Sequence, residues 1–393
     1  MELRRVQDAS VEGKTVLVRV DYNVPMAEGE ISDDSRLRAS IPMIEYLVGQ
    51  SAKVVLMTHL GRPEGHVVED LRLGPIAACL SALLDRDVAY LGECAGEEVA
   101  ARIEAGHTGD IFLLENTRFH REEVLNEAGF ARQLAELGDL FVNDAFATLH
   151  RSHASTLGVA ELVPSYAGLL VQKELAALAP LLADPKRPYI AIVGGKKAKS
   201  KLGPLRDLVT QVDVVLLGGG VAFSFLAALG AEVGGSVVDP AVFDEILEIQ
   251  GIAEIRGTEI LLPIDCVVAE RLDADATTQI LDARAIPEGW IGFDIGPRTV
   301  ELFRERIDAA NTIVWTGPMG AFEVEPFVQG TRAVGEGIAT SGAYSVIGGG
   351  ETGDAVARFG LEAGVSFVST GGGACLALLQ GKPLPALDVL VAP

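Results

Sequence analysis

Short apolar runs alternate with helix-like stretches along almost the whole chain. The runs at 15–20, 53–58, 110–115 and 140–143 read as strands, and their alternation with helices predicts an α/β architecture with parallel sheets. Each run gives way to polar residues. Asp21 and Asn23 follow the first, His59 and Arg62 the second, Arg118 the third and Arg151 the fourth. In open α/β sheets, ligands bind at the loops leaving the carboxyl ends of the strands. One basic residue there is an ordinary surface charge. Several at equivalent strand ends predict one pocket for a small anion. Ser32 to Asp34 offer helix caps, and the helix after them carries Arg36 and Arg38 near its start, with Pro42 either inside its first turns or kinking it.

From 166 to 182 the pattern becomes helical without a turn signal, with Leu169, Leu170, Leu175, Leu178 and Leu182 on a broad apolar face. A domain boundary is expected along this helix, between one α/β half at 1–170 and another at 171–385. The second half opens with a strand-like run from Tyr189, a Gly194-Gly195 turn, and then Lys196, Lys197, Lys199 and Lys201. Most of the 32 basic residues are arginine, so this cluster stands out. Lys197 and Lys201, four apart, would share a helical face. Cations at a helix N-terminus are unfavourable unless a polyanion binds there. The cluster is either a solvated patch or a phosphate site, and the strand and glycine turn before it favour phosphate. No GxxxxGK[ST] is present, which excludes a Walker-type loop.

Glycine-rich strand-to-helix turns recur at 218–220, 316–320, 348–353 and 370–373. Such turns let a ligand approach the backbone and bond to its N–H groups, which predicts a nucleotide crevice. Gly348, Gly350 and Gly353 satisfy GxGxxG, the dinucleotide fingerprint. That fingerprint wants an acidic residue at the end of the next strand, which here ends Ser369-Thr370-Gly371. A nicotinamide dehydrogenase loses most of its support there.

A chain of 393 residues suggests two or three domains, and 49% hydrophobic content supplies their cores. A net charge of −23 argues against nucleic acid or an anionic membrane as partner. Cys79, Cys94, Cys266 and Cys375 form no CxxC pair and sit in or beside apolar segments, which predicts buried free thiols in a reducing compartment. The opening residues lack a signal-peptide core and no run is apolar enough to span a bilayer, so a soluble cytoplasmic protein is expected.

Together these motifs resemble those of phosphoglycerate kinase. Val18-Arg-Val-Asp-Tyr-Asn-Val-Pro25, Thr58-His-Leu-Gly-Arg-Pro63, Leu113-Leu-Glu-Asn-Thr-Arg-Phe119 and Val142-Asn-Asp-Ala-Phe146 are similar to that family's N-terminal motifs. Gly289-Trp-Ile-Gly-Phe-Asp-Ile-Gly-Pro297, Trp315-Thr-Gly-Pro-Met-Gly320 and Ser369-Thr-Gly-Gly-Gly-Ala374 are similar to its C-terminal ones. The resemblance implies reversible phosphoryl transfer between 1,3-bisphosphoglycerate and ADP, giving 3-phosphoglycerate and ATP, with Mg²⁺. It implies two Rossmann-like domains joined by a helix, with a cleft between them and hinge motion about it. A tail from about 386 to 393 would pack back on the N-terminal domain, and a monomer is expected. The N-terminal domain would hold phosphoglycerate through Asp21, Asn23, Arg36, His59, Arg62, Arg118 and Arg151. The C-terminal domain would hold nucleotide through Lys197, Lys201, Gly292, Glu323, Gly349, Gly350, Glu351 and Thr352, with Glu351 at the metal. Arg36, Lys197 and Gly371, Gly372 and Gly373 would surround the moving phosphoryl.

The chain departs from the family pattern at Thr316, where Asn is usual, at Glu351, where Asp is usual, and at Lys196, where a small residue is common. These departures touch the nucleotide half. They keep open a second possibility, a catalytically weak paralogue acting as a sensor or interaction module.

Overall fold

The computed structural model describes residues 2–27 and 29–392. It divides into two compact units, Met1–Ala176 with Pro383–Pro393, and Ala177–Lys382.

Unit 1 is built on a six-stranded parallel sheet. Its strands are β1 (Thr15–Arg19), β2 (Lys53–Met57), β3 (Val88–Tyr90), β4 (Ile111–Leu113), β5 (Leu140–Asn143) and β6 (Ser165–Ala167), in the order β3-β4-β2-β1-β5-β6. The runs are apolar throughout because both faces are covered. Val16, Val18, Val54 and Leu56 enter one core, while Leu17, Val55 and Met57 enter the other. Helix α1 (Ser35–Gly49) carries Pro42 in its middle rather than in its first turns. Asp34 is its N-cap but makes no capping bond; its carboxylate is held by Arg38 at 2.8 Å. The end of the chain belongs to this unit. Arg4 N donates to Leu390 O at 2.8 Å, and Ala386 N donates to Leu149 O at 3.1 Å.

The helix expected from 166 begins later. Tyr166 lies in β6, Gly168 ends the strand, and α2 runs Leu169–Leu182. The Asp144 carboxylate accepts from Leu170 N at 2.7 Å and so satisfies a helix-start donor. A three-residue strand running straight into a helix leaves no hydrophobic signal of its own.

Unit 2 repeats the plan. Its large sheet holds β7 (Tyr189–Val193), β8 (Val214–Leu217), β9 (Glu259–Leu261), β13 (Thr312–Thr316), β14 (Tyr344–Gly348) and β15 (Phe367–Ser369), in the order β9-β8-β7-β13-β14-β15, all parallel. An antiparallel sheet of β10 (Asp265–Ala269), β11 (Gln279–Asp282) and β12 (Ile291–Ile295) has the order β11-β10-β12 and its own apolar cluster. The helices that matter for the site are α3 (Lys199–Leu208), α4 (Gly219–Ala228), α5 (Gly350–Arg358) and α6 (Gly372–Leu379). Among the described residues no disulfide joins the four cysteines, and Cys79 alone among them is not buried. Among the described residues no helix is long and apolar enough to cross a membrane.

Candidate active site

In unit 1 the strand-end loops converge. Arg62, Arg118, Arg121 and Arg151 line one cavity of about 560 Å³ together with His153. The loop after β2 is clamped at Gly61, whose N–H donates to Asn23 Oδ1 at 2.8 Å and whose carbonyl accepts from Arg118 Nη1 at 2.7 Å. The loops after β1, β2 and β4 are therefore locked to one another. Arg118 Nε is buried without a partner. Arg36 pairs with Asp21 through Nη1 and Oδ2, its guanidinium partly open to solvent. Carboxylates are few at this wall, so positive charge is unbalanced and suited to a multiply charged anion.

His59 lies beneath these charges, 3% exposed. Burial first, then the nearby Arg19, Arg151 and His153, hold its pKa well below the ordinary imidazole range. His153 is pushed down to about 4 by burial and by Arg151 and Arg19. Both rings are neutral near pH 7, so the site's positive charge is carried by arginine. Burial also pulls Arg151 down, against the attraction of Asp21.

Unit 2 builds a different wall. A cavity of about 420 Å³ is lined by Gly195, Gly219, Gly220, Gly292, Phe223 and Phe293, with Lys196, Glu323 and Glu351 as its charged members. The turns after β7, β8 and β13 bond backbone to backbone. Gly194 N donates to Thr316 O at 2.9 Å, Gly195 N to Pro318 O at 2.8 Å, and Gly219 N to Met319 O at 2.9 Å. Gly292 packs under the Phe223 ring, where an added Cβ would lie 2.1 Å from a ring carbon. The turns after β14 and β15 are as close. A Cβ on Gly372 would lie 2.5 Å from the Cα of Gly349, which itself needs φ +105°. Helix α5 follows Gly349 and α6 follows Gly371, and neither N-cap uses a side chain. Gly350 and Gly373 lie in the first turns of these helices, beside N–H groups that no side-chain cap occupies.

The lysine cluster separates. Helix α3 starts at Lys199, so Lys197 precedes it and does not share a helical face with Lys201. Lys197 is exposed and is not among the residues lining the cavity. Lys201 is half-buried, its Nζ 3.0 Å from Thr316 Oγ1, and burial lowers its pKa against the pull of Glu351. Thr316 thus holds Lys201 in place. Thr352 is 1% exposed and its hydroxyl accepts from Gly317 N at 2.6 Å, which ties α5 to the turn after β13. Glu351 makes no hydrogen bond or ion pair among the described residues, and its carboxylate is exposed at the cavity.

Sequence reasoning missed Arg121, Arg19, Glu123 and Ser155. Arg121 lines the arginine cavity. Arg19 is fully buried and contacts His59, while Glu123 and Ser155 lie behind it. An arginine inside the apolar run 15–20 was the available signal, because a buried strand tolerates such a charge only with partners.

A family model described as phosphoglycerate kinase matches residues 6–382. The chain is 48% identical over 386 residues to the phosphoglycerate kinase of Dictyoglomus turgidum, covering 98% of this chain and 97% of that one. It is 46% identical over 385 residues to that of Moorella thermoacetica, covering 98% of each. Among solved structures, phosphoglycerate kinase from Pyrococcus horikoshii OT3 superimposes with a TM-score of 0.89 at 35% identity, covering 99% of this chain and 98% of that one. The enzyme from Coxiella burnetii does so with a TM-score of 0.86 at 38% identity and the same coverage.

Proposed function

The chain belongs to the phosphoglycerate kinase family, a phosphotransferase of glycolysis, and we propose that it divides that family's reaction between two half-sites of unlike construction. Unit 1 holds 3-phosphoglycerate or 1,3-bisphosphoglycerate, and unit 2 holds ADP or ATP. The observation that carries the reading is the cavity walled by Arg62, Arg118, Arg121 and Arg151 in a chain of net charge −23. Arginine forks grip carboxylate and phosphate oxygens in fixed geometry, which suits a ligand bearing both.

Phosphoryl transfer asks little covalent chemistry of a protein. It needs the donor and acceptor oxygens in line and the equatorial oxygens neutralised. The attacking groups are a carboxylate and a nucleotide phosphate oxygen, so no general base is required. In this reading Asp21, Asn23 and His59 position the phosphoglycerate among the arginines. Arg36, paired with Asp21, and Lys197, whose side chain is exposed, supply charge to the moving group together with the α6 N-terminus after Gly371. Lys201 neutralises nucleotide phosphate, and a bound phosphate would restore the basicity that burial takes from it. Gly292 and Phe223, which line the cavity, face the base and Glu323 the ribose, while Gly349, Gly350 and Thr352, at the start of α5, serve the phosphates.

Mg²⁺ fits this donor set. No group of three or more His, Cys, Asp or Glu able to hold a metal exists among the described residues, and Glu351 offers one uncommitted carboxylate at the cavity. Mg²⁺ keeps several waters and takes phosphate oxygens, so one protein carboxylate suffices. When bound it would neutralise nucleotide charge. A monomeric state and cytoplasmic residence complete the reading, and four cysteines without a disulfide among the described residues accord with a reducing compartment.

The test is a coupled assay with ATP, 3-phosphoglycerate and Mg²⁺. Sustained, Mg²⁺-dependent turnover is expected. Binding of both ligands without turnover would favour the weak paralogue instead.

A further inference from the structure

We propose that Glu123 and Ser155 are positioning residues that act through Arg19 to hold His59 as the neutral tautomer with its hydrogen on Nε2. His59 then offers phosphoglycerate one fixed N–H donor. The proposal rests on the reading of unit 1 as the phosphoglycerate site.

The donor directions follow from the contacts. Glu123 is fully buried. Ser155 N donates to its Oε2 at 2.8 Å, and Ser155 Oγ donates to its Oε1 at 2.6 Å. A hydroxyl has one hydrogen, so Ser155 Oγ can only accept from Arg19 Nε, 2.9 Å away. A guanidinium has donors and no acceptor. Its Nη1 goes to the carbonyl of Val20, and its Nη2 lies 2.9 Å from His59 Nδ1. His59 Nδ1 must therefore accept, which leaves the ring hydrogen on Nε2. His59 has no other hydrogen bond among the described residues, so Nε2–H is uncommitted.

Charge and burial reinforce the chain. Arg19 is fully buried close to the arginine-walled cavity, and Glu123 first and Asp21 second are the anions that offset its burial. Removing one member of a buried ionic pair leaves the other uncompensated. The hydroxyl between them is polarised from both sides, which strengthens both hydrogen bonds. His153 shares the arrangement at longer range, its Nδ1 3.8 Å from Glu123 Oε1. A protonated His59 would set an N–H against Arg19, and Arg151, Arg36 and burial all oppose that form. The family's reaction does not need the network chemically. It fixes which ring nitrogen faces a substrate.

The test uses the full chain labelled with ¹⁵N-histidine, without ligand, with the His59 signals assigned by their loss in His59→Gln. His59 Nδ1 is expected in the non-protonated range and Nε2 in the protonated range. Ser155→Ala should draw the two shifts toward each other as tautomers mix. It should also raise the KM for phosphoglycerate about tenfold and leave that for nucleotide within about twofold. Glu123→Gln keeps the shape and should move both readouts the same way. A hydrogen found on Nδ1 in the parent overturns the proposal, as does a Ser155→Ala protein with unchanged tautomer and KM. The parent spectrum decides even where a variant fails to fold. It does so independently of whether the chain turns over phosphoglycerate.

Discussion

The two cavities are walled by different materials. In unit 1 the wall is made of side chains: Arg62, Arg118, Arg121 and Arg151, with the Arg19–Ser155–Glu123 chain buried behind them. In unit 2 it is made largely of backbone, with the glycine turns after β7, β8 and β13 bonded to one another and few charges projecting. The difference sets what each half can lose. A side-chain site fails when a group is removed, because a buried partner is left unpaired. A backbone site fails when a group is added, because no space exists for it. A phosphoglycerate carries its recognition in small charged groups, whereas a nucleotide also presents a flat base and a sugar. Arginine forks suit the first, and close-packed turns with open N–H groups suit both the phosphates and the faces of the second.

Removal should cost most at Arg36. Arg36→Ala is expected to lower kcat by about 10² to 10³ while nucleotide affinity stays near that of the parent. Steady-state kinetics with calorimetric titration of ATP checks this, and a kcat within a few-fold of the parent removes Arg36 from the moving phosphoryl. Addition should cost nearly as much at Gly372, where a Cβ meets the Cα of Gly349 at 2.5 Å. Gly372→Ala is expected to weaken nucleotide binding by roughly tenfold to a hundredfold and to lower the melting temperature. Unchanged ATP affinity in that variant would mean that the close approach of the two turns is incidental to the site.

The separation of ligands between the units predicts a crossed pattern. Lys201→Ala should weaken ADP and ATP by about tenfold and spare phosphoglycerate, and Arg151→Ala should do the reverse. Titrating each ligand against each variant tests it, and indiscriminate losses would dissolve the two-site assignment. Glu351→Gln should have a smaller effect. It is expected to raise the Mg²⁺ concentration for half-maximal rate by a few-fold, with little change in melting temperature, because the exposed carboxylate makes no hydrogen bond or ion pair among the described residues and only attracts Lys201 at a distance. Glu351→Asp should stay active. Lower stability with an unaltered Mg²⁺ dependence would make the residue a helix-end charge and nothing more.

The side-chain wall and the backbone wall were not equally legible. Charge at strand ends is legible directly: Arg62, Arg118 and Arg151 stand beyond strand-like runs in the sequence, and the structure brings them to one cavity. Arg121 escaped because it lies on the helix beyond its loop, where an arginine is ordinary. Arg19, Glu123 and Ser155 escaped because a relay has no spacing in sequence: Ser155 lies 32 residues from Glu123 and 136 from Arg19. Glycine turns marked the backbone wall in outline. Sequence could not say which glycines touch, since Gly349 and Gly372 meet only through the pairing of β14 with β15. The lysine spacing misled, because it assumed a helix running from Lys197 when the helix starts at Lys199.

Acid sharpens the comparison further, because all six histidines lie in unit 1. His59, His150 and His153 each have a folded pKa lowered chiefly by burial, that of His153 to about 4. Below about pH 6.5 the unfolded chain takes up protons that the folded unit refuses, so unit 1 loses stability as pH falls from 6.5 toward 4. Buried Asp144 and Asp294, each pushed up to about 8, act with the opposite sign, since the folded state holds a proton the unfolded chain has released. Their stabilisation is fullest below the ordinary carboxylate range and is lost as pH rises toward 8. One lies in each unit, so they do not distinguish the two. Both tryptophans, Trp290 and Trp315, lie in unit 2, so their fluorescence reports that unit while far-ultraviolet circular dichroism reports both. On going from pH 7 to pH 5 the urea midpoint by dichroism should fall by roughly a few tenths of a molar more than the midpoint by fluorescence. Equal shifts in the two signals would mean that the units unfold as one, and that the histidines burden the whole chain rather than the arginine-walled half alone.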